Sequence, residues 1–468
     1  MHKVATIATK LQPHQERAIK RALLNDIIFA HSTGSGKTLT AIAAADRIGK
    51  PVTVFTPASL TDNFKKELLK HKQRGPKFSV HSLPTAASRG IKVPAGNTVI
   101  IDEAHTLRNV GTQRSQYLRE QLAKAGRVIA LTGTPAYNNI TDWLPLVNTV
   151  ARKRIIPEDP KLFNQEYLSE EQIQPGLVDR YIRGIKPSTV TRLKNSEQLR
   201  ALLSPYVDVF DADIEKPKRI DETIHVPMSD HQERVYDAVN NKLPFYVRYK
   251  VLNNLPPSKA EARDFNAFLT GVRQVSNSTE GYDTKSGEPG PKIRVAVENL
   301  KRTLRANPKA RALVYSNFIE SGLGSYAKLL DRDRIPYAMF HGGLTSKQKR
   351  DIVDRYNAGK LPVILGSGSA SEGLDLKNTR LIQILEPHFN DAKINQVIGR
   401  GIRYKSHAQL PESERNVTVQ RYMSDKPQHT GFLWFKPERQ LAVDEYLSNR
   451  AREKQTLIDD FKHVLEQR

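Results

Sequence analysis

Short apolar runs separated by longer amphipathic stretches give this chain its rhythm. Residues 11 to 24 place Leu11, Ala18, Ile19, Ala22 and Leu23 at helical spacing, which predicts a helix near the N-terminus. Ile27 to Ala30, Val52 to Phe55, Val99 to Ile101 and Val128 to Leu131 follow as strand-length runs that stay largely apolar instead of alternating. A strand reads that way when both of its faces are covered, as in a parallel sheet flanked by helices. A second set starts at Ala312-Leu313-Val314-Tyr315 and continues with Val363-Ile364-Leu365 and Leu381-Ile382-Gln383-Ile384. Two tandem α/β lobes, 1–150 and 291–425, are therefore predicted. Residues 151–290 change character, with many charges, few strand-like runs and a Pro/Gly/Ser-rich stretch from Ser276 to Pro291, and read as a linker plus a mostly helical insertion. The tail, 426–468, carries Leu441, Val443, Leu447, Ala451, Leu457, Ile458, Phe461 and Leu465 among charges, the pattern of an amphipathic helix packed on a lobe.

A length of 468 residues suits two or three domains with cores of their own. The formal charge of +23 and pI near 9.9 favour either a polyanionic partner or simply a soluble basic surface. There is no cysteine, which excludes disulfides, Cys-ligated zinc and cysteine-bound iron–sulfur clusters. No apolar run approaches the ~20 residues that cross a bilayer. The start, Met1-His2-Lys3-Val4-Ala5-Thr6, lacks the apolar core of a signal peptide. An intracellular protein without a membrane partner is expected.

Candidate chemistry sits at the ends of the predicted strands. His31-Ser32-Thr33-Gly34-Ser35-Gly36-Lys37-Thr38 follows a strand and opens a helical stretch. Glycines at such a turn let backbone N–H groups close around phosphates, Lys37 can reach β and γ oxygens, and the Thr38 hydroxyl can ligate Mg²⁺. His31 stands where the strict pattern has glycine. Val99-Ile100-Ile101-Asp102-Glu103-Ala104-His105 is an apolar strand ending in two carboxylates, 65 residues past Lys37. Asp102 is suited to hold Mg²⁺, and Glu103 to position or deprotonate an attacking water. Leu131-Thr132-Gly133-Thr134-Pro135 also follows a strand, and Gln15 lies in the first helix, ahead of the phosphate loop.

In this order the motifs resemble the superfamily 2 helicases, and within them the Swi/Snf-like ATPases and their relatives in large DNA viruses and phages. Leu11-Gln12-Pro13-His14-Gln15 is similar to the family's adenine-reading glutamine motif. Thr53 to Leu60, running on to Asn63-Phe64-Lys65-Lys66-Glu67-Leu68, resembles its first nucleic-acid-contacting motif. Asp102 to Asn109 matches the extended carboxylate motif, and Thr132 to Pro135 with Asn138-Asn139 the coupling motif. In the second lobe Leu313 to Phe318 resembles motif IV, and Phe340-His341-Gly342-Gly343-Leu344-Thr345 with Arg350 resembles the segment after it. Ser367 to Leu376 resembles motif V, with Ser367 where relatives often have threonine and Asp375 where close relatives have asparagine. Gln396-Val397-Ile398-Gly399-Arg400-Gly401-Ile402-Arg403 resembles motif VI.

The resemblance implies two tandem RecA-like parallel-sheet lobes with a helical insertion between them and a C-terminal helix. It implies ATP held by Gln15, Gly34, Ser35, Gly36, Lys37, Thr38 and Asp102 together with Asp375, and Mg²⁺ held by Thr38 and Asp102. Lys37, Glu103, Arg400 and Arg403 would be catalytic, the arginines reaching the γ-phosphate from the opposite lobe. Thr56, Ser59, Ser316, Asn317 and Ser367 would contact nucleic acid, and His105, Thr132, Thr134 and Gln396 would couple the two activities. Arg273-Gln274-Val275-Ser276-Asn277 is similar to part of the protrusion of remodelling ATPases. The implied partner is double-stranded DNA, with single-stranded DNA or RNA and a strand-separating or branch-migrating helicase as the alternative. A transcription-associated ATPase bound to a polymerase is another, and a monomer is expected. A scaffold with a dead ATP site is opposed by the intact Lys37, Glu103 and Arg400. The basic run Lys65, Lys66, Lys70, Lys72, Arg74 and Lys77 reads equally as a backbone-contacting patch or a soluble helix face.

Overall fold

The apolar runs become central strands of two six-stranded sheets in which every pairing is parallel. The computed structural model describes residues 9–32, 34–71, 75–108, 111–133, 140–173, 188–210, 216–258, 261–283, 287–371, 374–388, 391–403, 405–427 and 441–466. These fall in two compact units, one within 1–169, 191–214 and 456–468, the other within 170–190 and 215–455.

The strands of the first unit's sheet are Ile27–His31 (β1), Val52–Thr56 (β2), Phe78–Ser82 (β3), Thr98–Ile101 (β4) and Arg127–Thr132 (β5), joined, after the separate two-stranded pair Leu168–Ile173 (β6) and Ser188–Leu193 (β7), by Val207–Phe210 (β8). Their order is β3-β2-β4-β5-β1-β8. Helices Pro13–Leu24 (α1), Lys37–Ile48 (α2), Thr61–His71 (α3), Leu83–Arg89 (α4), Gln113–Leu122 (α5), Trp143–Ala151 (α6), Pro160–Tyr167 (α7) and Ser196–Leu203 (α8) accompany it. Successive strand residues point to opposite faces. Ile28 and Ala30 accordingly enter a core with Phe55, Ile101, Trp143 and Val147, while Ile27 and Phe29 enter another with Ala41, Ala44, Val54 and Ile100. Complete burial of β1 and β2 explains their unbroken apolar runs.

The second unit's sheet is built from Lys218–Pro227 (β9), Arg311–Tyr315 (β10), Tyr337–Phe340 (β11), Val363–Gly366 (β12), Thr379–Ile384 (β13) and Asn416–Asp425 (β14), in the order β11-β12-β10-β13-β14-β9. Asp230–Asn240 (α9), Phe245–Leu252 (α10), Ala262–Phe268 (α11) and Thr270–Asn277 (α12) form the insertion, whose own core joins Tyr236, Val247, Phe265 and Val272 to Val443, Tyr446 and Leu447. Pro291–Ala306 (α13), Ser325–Arg332 (α14), Ser346–Asn357 (α15) and Asp391–Gly401 (α16) flank the sheet. The tail is the expected helix, Val443–Glu466 (α17), and its Phe461 meets Trp143 edge-to-face at 5.8 Å.

The stretch 151–290, read as a linker plus a mostly helical insertion, also carries strands that the sequence did not announce. It supplies β8 to the first sheet and β9 to the second, as well as the insertion. β9 was illegible because it is an edge strand with most of its residues exposed, so Lys218-Arg219-Ile220-Asp221-Glu222 carries no apolar signature.

Candidate functional site

Three strands of the first sheet bring their C-terminal ends to one edge: β1 at His31, β4 at Ile101 and β5 at Thr132. In an open parallel sheet this is the edge where ligands bind. Beyond β1 the chain turns through Gly34 (φ +86°) and Gly36 (φ +80°) and enters α2 at Lys37. Positive φ favours glycine at both. At Gly36 there is also no room, since a Cβ would stand 2.6 Å from Gln15 Nε2. Gln15 is buried, with Oε1 accepting from the Gln12 N–H at 2.9 Å and Nε2 donating to the Gly36 carbonyl at 3.4 Å. The glutamine expected to read adenine thus ties α1 to the phosphate loop.

Lys37 Nζ donates to the carbonyls of His31 (2.9 Å) and Ser32 (3.2 Å). Ser35 Oγ is buried with no hydrogen-bond partner among the described residues, and the first turn of α2 holds no acidic side chain. A helix N-terminus with its unsatisfied N–H groups, a lysine and a spare hydroxyl is a donor set for oxyanions, and it fits a triphosphate. At the end of β4, Asp102 Oδ1 accepts from the Glu103 N–H at 3.0 Å. Burial, with Glu103 alongside, pushes the Asp102 carboxyl up to about 7 against the pull of Lys37. A divalent cation is the counter-charge such a carboxylate pair favours, so the chemistry of Asp102 fits Mg²⁺, and Thr38 follows Lys37 in the first turn of α2. No group of three or more His, Asp or Glu among the described residues forms a ready-made metal cage. Glu103 adopts φ +49°, a conformation that costs a non-glycine residue energy and recurs at functional sites. Its Oε2 lies 3.2 Å from His105 Nδ1, which puts the expected coupling histidine on the expected catalytic carboxylate. Thr132 is buried at the end of β5, and Thr134 lies outside the described residues.

Under the loop lies a polar cluster that motif reading missed. Asp208 on β8 is fully buried and accepts from His31 Nε2 at 2.9 Å, Arg17 at 2.8 Å and Arg21 at 2.8 Å. Burial would raise its pKa, but the His31 and Arg17 hydrogen bonds outweigh it and hold the carboxyl well below the usual range. Burial lowers the His31 pKa in spite of Asp208. His14 stacks on Phe210 with ring centres 3.7 Å apart, and its Nε2 is 3.1 Å from the Ser35 carbonyl. Asp208 and Phe210 come from the stretch read as insertion, and only the pairing of β8 with β1 brings them here.

In the second unit, Arg403 Nη1 meets the Asp375 carboxylate at 3.0 Å. Gln396 and Arg400, four residues apart on α16, share a helix face. The residues expected to contact nucleic acid differ in exposure. Ser59 is exposed on the short 3₁₀ turn Ala58–Leu60, and Asn317 is half-buried. Ser316 is fully buried with its hydroxyl 3.0 Å from each Glu386 oxygen, Thr56 is buried with its hydroxyl 2.8 Å from that of Thr61, and Ser367 is buried. The hydroxyls of Ser316 and Thr56 are thus engaged inside the protein, while Ser59 keeps its side chain toward solvent.

The SNF2-related domain family matches residues 78–280, and the helicase conserved C-terminal domain family matches residues 295–405. A putative ATP-dependent RNA helicase of Acanthamoeba polyphaga mimivirus is 30% identical over 474 residues, spanning 97% of this chain and 96% of that protein. A termination factor NPH-I homolog of African swine fever virus is 22% identical, over 94% of this chain and 75% of its own length. The SWI2/SNF2 ATPase core of Sulfolobus solfataricus, solved in complex with dsDNA, aligns over 99% of this chain and 98% of that one at 16% identity and a TM-score of 0.38. No helix among the described residues is long and apolar enough to cross a membrane. With 30% identity across nearly the whole of both chains and the two family domains matched in order, this chain belongs to the SNF2-related, helicase-type ATPases of superfamily 2 and is a nucleic-acid-dependent ATPase.

Proposed function

We propose that this ATPase is a translocase on double-stranded DNA that couples hydrolysis to movement along, or remodelling of, the duplex. The observation that carries the reading is the joining of a complete phosphate loop and carboxylate pair to an SNF2-related match that runs through the insertion to residue 280. Lys37, Ser35 and the first N–H groups of α2 hold the triphosphate, and Gln15 keeps the loop in register with α1. Asp102 and Thr38 hold Mg²⁺, which screens the phosphate charge. Glu103, steadied by His105, orients the attacking water and takes its proton. Arg400 and Arg403, the latter paired with Asp375, neutralise charge developing on the transferred phosphoryl group. Nucleic acid lies along both lobes on backbone contacts that carry little sequence information, as movement along a strand requires. The protein works as a monomer.

A second reading has one observation in its favour: the 30% identical mimivirus relative is named an RNA helicase. Steady-state ATP turnover measured with duplex DNA, single-stranded DNA and RNA separates the two. Duplex is expected to stimulate at least as strongly as either single strand. Stimulation confined to RNA or single-stranded DNA would replace the duplex translocase with a strand-separating helicase.

A further inference from the structure

Outside the ATP site the second unit holds a carboxylate with no accessible surface, Glu386, two residues past the end of β13. Besides the Ser316 hydroxyl, its oxygens accept from the Asn317 backbone N–H and from Asn277 Nδ2, the latter at 3.1 Å. Asn277 and Arg273 lie four residues apart on α12 and so share a face. Arg273 donates to the Pro387 carbonyl at 3.0 Å and holds its guanidinium 5.1 Å from the Phe318 ring centre. Ser316 Oγ also accepts from the Phe318 N–H at 3.0 Å. The next segment, Ile319–Gly324, is a π-helix, a form that recurs at functional positions. It packs so closely that a Cβ on Gly322 would collide with Ser316 Oγ. One carboxylate therefore joins the insertion helix α12, the loop after β10 and the end of β13. From that end the chain runs into α16, which carries Gln396 and Arg400.

Burying an ion costs several kcal/mol before its partners repay it, and apolar side chains of similar volume often stabilise as well or better. A charge here is a mediocre stabiliser and a strict aligner, because three donors from two other segments must meet it at fixed positions. We propose that Glu386 is a positioning residue for nucleic-acid-stimulated ATP hydrolysis: it holds the Asn317–Phe318 backbone in register with the strand end that feeds α16, so that nucleic acid on this loop is sensed by the helix bearing Arg400. This rests on the reading that the loop after β10 faces nucleic acid; its outward side chain, Ile319, is 47% exposed.

Glu386→Gln tests it. The amide keeps an acceptor for the Asn317 N–H but turns its own NH₂ toward that of Asn277. Turnover without nucleic acid is expected to stay within about twofold, with the melting temperature little changed, while stimulated turnover falls about tenfold, or ~1.4 kcal/mol on the barrier. Adding Asn277→Asp to Glu386→Gln restores a donor–acceptor pair and is expected to recover most of the stimulation, which Asn277→Asp alone does not. Should Glu386→Gln fold poorly, Asn277→Ala removes a single donor and carries the same test, with stimulation expected to drop about threefold (~0.7 kcal/mol). Wild-type stimulation in either folded variant overturns the proposal. Amide exchange of 317–322 in the wild type, with and without duplex, separates the two layers. Absence of added protection refutes the loop's nucleic-acid-facing role and the proposal with it. Added protection alongside full stimulation in Glu386→Gln refutes the positioning role alone.

Discussion

Lys37 and Arg403 are half-exposed side chains held by groups of different kinds: two carbonyls near the phosphate loop for the lysine, a surface carboxylate for the arginine. Lys37→Ala is expected to abolish hydrolysis and leave the melting temperature close to wild type, because no apolar core is opened. The Arg403–Asp375 pair is largely solvated, and pairs of that kind contribute about 0–1 kcal/mol. If Arg403 only braced Asp375, its removal would hardly be felt. If it meets the transferred phosphoryl group, the loss is about 10³ to 10⁵ in rate. Arg403→Ala and Arg400→Ala are therefore expected to keep nucleotide binding within about tenfold, ~1.4 kcal/mol, and to lose most stimulated turnover. Nucleotide affinity, melting temperature and turnover measured on one preparation decide it, and a stable variant with undiminished turnover refutes the arginine assignment. At this scale local spacing made the strand-end positions of Gly34 to Thr38 and Asp102-Glu103 legible in the sequence. The surroundings of Ser316 were not legible, because whether a serine faces solvent or a buried Glu386 seventy residues on is a property of packing.

Strand β8 shows how an element acts through neighbours distant in sequence. Its Asp208 receives His31, Arg17 and Arg21, and around His31 stand Asp208, Lys37 and His14. Burial keeps His31 from taking a proton that the unfolded chain accepts near pH 6.5. Below that value the unfolded state binds more protons than the folded one, so stability rises with pH through the window. His31 thus leaves stability intact above about 6.5 and subtracts from it as pH falls toward its lowered folded value, and His14, also lowered by burial, acts in the same direction. Asp208 has the opposite charge type and a lower window: its contribution is present above about pH 4 and lost only on further acidification. The urea midpoint is expected to be lower at pH 5.5 than at pH 7, with His31→Gln flattening the difference. An unchanged difference in that variant would rule out His31 as the source. The cluster was invisible beforehand because Asp208 sits in a four-residue strand of ordinary composition, whereas β1, β2 and β4 announced themselves through burial on both faces.

Across the whole molecule, the +23 charge is the property most directly tied to a partner. Each phosphate neutralised releases counterions, so log affinity for duplex should fall by about 0.9 per log unit of salt for every contact. A binding constant equal at low and physiological salt would contradict backbone tracking. The sequence by itself determined the two parallel sheets, the terminal helix and the phosphate-loop and carboxylate sets, because apolar runs and glycine–lysine spacing are local patterns that burial and phosphate geometry impose within a few residues. Tertiary structure alone decided that residues 207–210 complete the first sheet and 218–227 the second, that Asp208 lies under the phosphate loop, and that Glu386 ties α12 to the loop after β10. The physical reason is that partners separated by tens to hundreds of residues leave no periodic trace in a chain. An edge strand half in solvent and a buried charge matched by three remote donors look, residue by residue, like ordinary polar surface until the sheet closes around them.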